Sequence, residues 1–389
     1  MSLANGRPYV AIPGPSVIPD RVLQAMVRPA PNIYEGEIVT LTESLIPDLK
    51  RVAGTVDGKC AIYIGNGHAA WEAALANTLA EGDRVLVLAT GRFGPGWGEM
   101  AEARGLEVET LDLGMTGPVD YDRVEDALRG REFAAVLAVF VDTSTGLMLD
   151  MARLRAALDA AGSGALLMAD CIASMGCDRF EMDALGVDVA ITGSQKGLMT
   201  PPGAAFVFFG TRAEAARGRL ARVSRYWDWV PRTEPEGFYQ YFCGTAPTHH
   251  LYGLRAALDI IAEEGLPNVW TRHDRLARAI WAACDAWGAE GPLRINVREE
   301  SERSRAVTSI GLDPGQGEAL RYWCADEAGV TLGIGLGREP MDAWFRIGHM
   351  GHVNAHMVLG VLAVIEAGLQ ATGVPHGGGA LAAAAAELA

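Results

Sequence analysis

Short apolar runs recur through the first half of the chain, at 61–64, 85–88, 108–113, 134–141, 165–169, 187–191 and 204–209. Between them lie stretches with helical spacing of apolar positions, such as 68–80 and 151–161. Runs that are apolar at nearly every position predict strands covered on both faces. Their alternation with amphipathic helices predicts an α/β domain. The pattern changes after 210. Residues 211–250 are irregular and rich in aromatic side chains, including Tyr226, Trp227, Trp229, Phe238, Tyr239, Tyr241 and Phe242. A long helix is predicted over 251–264 and a break at Gly265-Leu266-Pro267. A helix over 268–287, strands at 304–312, 330–334 and 343–347, and a helix from 353 to 371 then predict a smaller α+β unit. The expected organisation is an extended Gly/Pro-rich arm over 1–15, a large domain over 16–264, a small domain over 265–371 and a flexible, low-complexity tail over 372–389.

Composition narrows the function. The chain has 389 residues, is 49% hydrophobic and 21% charged, and carries a formal net charge of −15. That balance argues against nucleic-acid and anionic-membrane partners, which require a basic footprint. No run approaches the roughly 20 apolar residues of a membrane span. The six cysteines form no Cys-x-x-Cys pair and resemble no disulfide framework, and the N-terminus shows no apolar leader, so a cytoplasmic protein is expected.

The chemistry concentrates at strand ends. The run 165–169 ends in Asp170, and the run 187–191 leads to Ser194-Gln195-Lys196, followed by the rigid Pro201-Pro202-Gly203. A strand-end Asp followed by a strand-end Lys suits pyridoxal phosphate: the Lys condenses with the cofactor aldehyde, and the Asp keeps the ring nitrogen protonated. Gly65-Asn66-Gly67-His68 follows a strand and opens a helix, the place for a phosphate. The same string fits Gly-x-Gly-x-x-Ala, but the next strand ends in Ala89-Thr90-Gly91 with no acidic residue for a dinucleotide ribose. Phe93 follows that strand and is either a core residue or a face for a planar ring. Asp142-Thr143-Ser144-Thr145 is either a turn or a source of hydroxyl donors. Arg346, inside the apolar strand 343–347, needs an anionic partner, either a structural carboxylate or that of a substrate. His349, His352 and His356 have no interleaved Cys or acidic residue, so no metal site is read there.

With these residues placed, the chain resembles the class V, fold type I aminotransferases of the alanine–glyoxylate and serine–glyoxylate group. The resemblance runs from about residue 11 to about 368. It is carried by Pro13-Gly14-Pro15, Gly67-His68, Ser144-Thr145-Gly146, Asp170 with Ala173-Ser174, Ser194-Gln195-Lys196, Pro201-Pro202-Gly203 and Arg346-Ile347-Gly348. The resemblance implies a seven-stranded, mostly parallel sheet, a smaller C-terminal domain and a homodimer with shared active sites. Lys196 and Asp170 would be catalytic. Phe93 would stack on the ring and Ser144 would reach its polar edge. Gly67, His68 and Gln195 would hold the phosphate, with Thr245 adding a contact from the neighbouring subunit. Arg346 would bind the substrate carboxylate. Relatives often place Tyr where this chain has Phe242, and the segment around Tyr34, at the expected substrate mouth, lacks the His-Arg pair of bacterial glyoxylate enzymes.

The resulting expectation is transfer of an amino group from alanine or serine to glyoxylate or pyruvate. Three alternatives stand beside it. Tyr34 also resembles the pyridoxamine–pyruvate branch, which has Glu where this chain has Gly67-His68. A cysteine desulfurase-like lyase shares the fold, but usually places His before the Lys, where Gln195 stands. A nucleotide-binding protein without catalysis would use only the Gly65 loop.

Overall fold

The structure is a computed structural model that describes residues 2–389. A small-sheet strand, β1 (Tyr9–Ala11), comes first, and seven strands then form the main sheet. These are β2 (Lys59–Gly65), β3 (Arg84–Ala89), β4 (Glu107–Asp112), β5 (Ala135–Val139), β6 (Leu166–Asp170), β7 (Val189–Gly193) and β8 (Gly203–Phe209). Their order is β2-β8-β7-β6-β5-β3-β4, with β8 antiparallel to both neighbours and the other pairs parallel. Every residue of the central β5, β6 and β7 is buried, as expected for strands covered on both faces. The run expected at 108–113 belongs instead to β4, a half-exposed edge strand whose Glu107, Thr110 and Asp112 interrupt the apolar positions.

The apolar pattern predicts no helix between 16 and 60. The structure has α1 (Glu37–Ala53), which buries Ile38, Thr42, Leu45, Leu49 and Val52 on one face at helical spacing. Two helices on the main sheet matter for the site: α2 (Gly67–Thr78) after β2, and α3 (Phe93–Ala103) after β3. A long helix, α4 (Thr248–Glu264), crosses to the second unit. Gly265, at φ +83°, turns the chain there, and Pro267 sits in the first turn of α5 (Leu266–Gly288), where its missing N–H costs nothing.

The second sheet contains β9 (Arg294–Ile295), β10 (Val307–Gly311), β11 (Val330–Ile334) and β12 (Trp344–Gly348), in the order β1-β11-β12-β10-β9. The N-terminal segment is therefore more than an arm: β1 pairs in parallel with β11. Three further helices belong to this unit: α6 (Gln316–Ala328), α7 (Ala355–Ala371) and α8 (Ala380–Leu388). The tail expected to fray ends in α8, whose fully buried Ala380 and Ala384 join Leu276 and Ile280 in the small-sheet core. Alanine is the best helix former, and its small side chain lets α8 lie close on α5, which polarity-based reading of a low-complexity tail overlooks.

Candidate active site

The carboxyl ends of β3, β5, β6 and β7 converge, as ligand sites in open α/β sheets do. They surround a cavity of about 300 Å³, whose lining includes Gly14, Asn66, Gly67, His68, Trp71, Phe93, Thr143, Asp170, Ile172, Gln195 and Lys196. Larger surface clefts exist elsewhere, but this is the one that gathers the predicted amine and carboxylate.

Lys196 follows β7 in a tight turn. Its amine donates to the Pro13 carbonyl, and its side chain lies against Gly14, which has φ +102° and no room for a Cβ. Ser16 ties the same arm to the lysine loop: its N–H bonds to the Gln195 carbonyl at 2.9 Å and its hydroxyl to the Lys196 carbonyl at 2.7 Å. Burial lowers the Lys196 pKa to about 8, helped by the Arg346 charge and opposed by Asp170. The amine thus loses its proton around pH 8, well below the ordinary lysine range.

Asp170 ends β6, level with Val139 and Ile191 in the ladder. Its Oδ1 accepts from Ile172 N–H at 2.7 Å and its Oδ2 from the Trp71 indole N–H at 2.8 Å. Burial pushes the carboxyl up to about 7; the two N–H donors and Lys196 pull it down, while Asp142 adds to the rise.

Asp142 organises the wall beside Phe93. Fully buried, it accepts from Phe93 N–H at 2.8 Å and from Ser144 N–H at 2.9 Å and the Ser144 hydroxyl at 2.5 Å. The Ser144 oxygen also accepts from Arg92 N–H. Ser144 therefore does not line the cavity. Val139, Val141 and Thr143 line the cavity while Asp142 and Ser144 do not, the chain bending at Phe140 and turning from Thr143.

Arg346 lies in β12 behind Thr143 and is only 6% exposed. Its Nε donates to the Ile334 carbonyl at 2.7 Å and its Nη1 to the Thr143 carbonyl at 2.8 Å. Among the described residues no carboxylate pairs with it within 4.0 Å. Burial lowers its pKa to about 10, with Asp142 opposing. Tyr34, at 87% exposure, and the exposed Thr245 lie outside this cavity. Thr143 lines the cavity from the hydroxyl-bearing stretch 142–145, and Trp71 and Ile172, which carry no such signal in the sequence, line it too. Trp71 stands one helical turn after Gly67, on the same face, and that spacing was the available signal.

The class-V aminotransferase family model matches residues 46–350. The chain belongs to this family. It is 37% identical over 386 residues to a serine–glyoxylate aminotransferase of Methylorubrum extorquens, covering 95% of this chain and 92% of the relative. It is 35% identical to an L-aspartate–glyoxylate aminotransferase of Paracoccus denitrificans, covering 97% and 95%. In three dimensions it is similar to the ureidoglycine–glyoxylate aminotransferase of Bacillus subtilis, with a TM-score of 0.89, 27% identity and full coverage of both chains. The chain is a transaminase of fold type I, and its cofactor is pyridoxal phosphate.

The cavity fits that cofactor. It presents an amine and a carboxylate together, an aromatic face at Phe93, and a helix start at Asn66-Gly67-His68. The buried Gln195 side-chain oxygen has no hydrogen-bond partner among the described residues, so this amide has capacity left for a polar guest. Among the described residues, no helix is long and apolar enough to cross a membrane.

Proposed function

We propose that the chain transfers an amino group from a small monocarboxylic amino acid, serine or alanine, to glyoxylate, with pyruvate as the second acceptor. The observation that carries this reading is Arg346: a buried guanidinium bonded to two carbonyls, unpaired with any described carboxylate, and near enough to Lys196 to lower its pKa. A planar carboxylate is its natural partner. Three relatives or neighbours named for glyoxylate support the acceptor.

When bound, pyridoxal phosphate supplies an aldehyde to take the amino group and a ring to accept the electrons of the α-carbon. Lys196 would hold the cofactor and then carry the proton taken from the substrate α-carbon. Asp170 would keep the ring nitrogen protonated. Phe93 would offer its face to the ring, Thr143, which lines the cavity where Ser144 does not, would supply a hydroxyl to it, and Gly67, His68 and Gln195 would hold the phosphate. Arg346 binds the α-carboxylate. Tyr34 and Thr245, both exposed, are assigned to a neighbouring subunit's site in a homodimer, Tyr34 at its substrate mouth and Thr245 at its phosphate. Six free cysteines, five of them buried, accord with a cytoplasmic location. Cys324, wholly buried in α6 with its thiol pushed up to about 12, disfavours a desulfurase, which needs a reactive thiol.

The test is the visible spectrum of the purified protein with single amino acids. Serine or alanine should bleach the yellow band and glyoxylate should restore it. Formation of pyridoxal and alanine from pyridoxamine and pyruvate, sulfide release from cysteine, or no band at all would each replace this reading.

A further inference from the structure

The two oxygens of Asp170 have different kinds of partner. Oδ1 is held by the N–H of Ile172, two residues along the chain, a local bond of the kind Asp side chains often make. Oδ2 is held by the indole N–H of Trp71, 99 residues away on α2. An indole nitrogen only donates. It therefore favours the state of Asp170 that accepts on both oxygens, which is the ionised carboxylate.

Trp71 has little freedom to do anything else. It is 1% exposed. It stacks on Trp97 with ring centroids 5.8 Å apart and planes 11° from parallel. Phe93 meets it edge-on at 6.4 Å and His68 lies 4.6 Å away. The neighbours on three sides fix the direction in which the N–H points.

We propose that Trp71 is a positioning residue of the transamination site: its indole N–H fixes the plane of the Asp170 carboxylate and holds it ionised before the cofactor ring arrives. The inference rests on the reading of Asp170 as the partner of the ring nitrogen. Trp71 acts through Asp170, and its ring also closes the cavity wall behind Phe93.

The charged and titratable groups around Asp170 are Lys196, which favours the anion, Asp142 and the buried Cys171, and His68 on the cavity wall. Against this fixed background, Trp71→Phe removes one charge-assisted bond and keeps an aromatic ring against Trp97. Losing a donor to the charged form raises the carboxyl pKa. The loss of one such bond corresponds to an upward move of about one pH unit.

The experiment uses cofactor-free protein. The Asp170 carboxyl is titrated by infrared difference spectroscopy against Asp170→Asn, in the wild type and in Trp71→Phe. The expected result is a midpoint about one pH unit higher in Trp71→Phe, and, in the loaded enzyme, a lower kcat with KM little changed. An unchanged midpoint in a folded variant overturns the proposal. If Trp71→Phe fails to fold, the wild type decides: the ¹⁵N-indole resonance of Trp71 should titrate with the Asp170 midpoint and stop titrating in Asp170→Asn, and a pH-independent resonance overturns the proposal. Full activity in Asp170→Asn would instead remove the ring-nitrogen reading, while leaving the Trp71–Asp170 coupling measurable.

Discussion

Replacing Arg346 by Gln tests the substrate assignment most directly. The amide keeps donors for the Ile334 and Thr143 carbonyls, which Arg346 holds at 2.7 and 2.8 Å, but removes the charge and the planar fork. No carboxylate pairs directly with Arg346 among the described residues, and the buried Asp142, which feels its charge, keeps its own donors from Phe93 and Ser144, so the fold should survive. The substrate carboxylate loses its partner. Truncating one member of a buried, hydrogen-bonded charge pair costs about 2–5 kcal/mol. At 1.36 kcal/mol per decade, kcat/KM for serine or alanine should fall roughly 30- to 5000-fold. The same change removes a cation that lowers the Lys196 pKa, so that pKa should rise above its value of about 8. Steady-state kinetics read the first effect. The pH dependence of cofactor uptake by cofactor-free protein reads the second. A loss in kcat/KM below about tenfold would refute the carboxylate role.

Three further outcomes follow from the same geometry. Lys196→Ala should abolish transamination while binding of pyridoxamine phosphate persists, checked by equilibrium dialysis; retained turnover would sink the assignment. Cofactor uptake by cofactor-free wild type should rise with pH and level off above a midpoint of about 8, because only the neutral amine attacks and burial with Arg346 lowers the Lys196 pKa; a midpoint near the ordinary lysine value would contradict this environment. Gly14→Ala places a Cβ at φ +102° against the Lys196 side chain, and strain of this kind costs about 1–3 kcal/mol. That variant should show a lowered thermal midpoint and slowed cofactor uptake, and wild-type uptake kinetics would refute the packing argument.

The strand-end residues were legible because their signal is local. A carboxylate or amine at the end of a continuously apolar run is costly to bury without a purpose, so Asp170 and Lys196 stood out without any knowledge of their neighbours. Trp71 and Thr143 were not legible for the opposite reason. Trp71 reads as an apolar residue on an amphipathic helix until its indole N–H is seen on Asp170, 99 residues distant. Thr143 and Ser144 are adjacent hydroxyls, and choosing between them requires the course of the chain after β5, which bends at Phe140 and turns from Thr143. The arm and the tail share a third cause. Tyr9–Ala11 and Ala380–Leu388 each acquire order only through tertiary partners, β11 and α5, and no periodicity in a three-residue strand or an alanine run reveals those partners.

The proton balance of the site emerges only from the assembled set. The half-buried Lys196 and the buried Arg346 lie near two buried carboxylates, Asp170 and Asp142, and desolvation perturbs Lys196, Arg346 and Asp170. Burial alone would drive the lysine toward its neutral form and Asp170 toward its acid form. Asp170 counters the first tendency by its charge on Lys196, and Lys196, Trp71 and Ile172 counter the second. The result is an amine with a pKa of about 8 beside a carboxyl with one of about 7. Under the proposed reading the two groups would then divide the work: Lys196, with its lowered pKa, would carry the α-carbon proton, while Asp170, held by two N–H donors and the Lys196 charge, would stay ionised against the ring nitrogen.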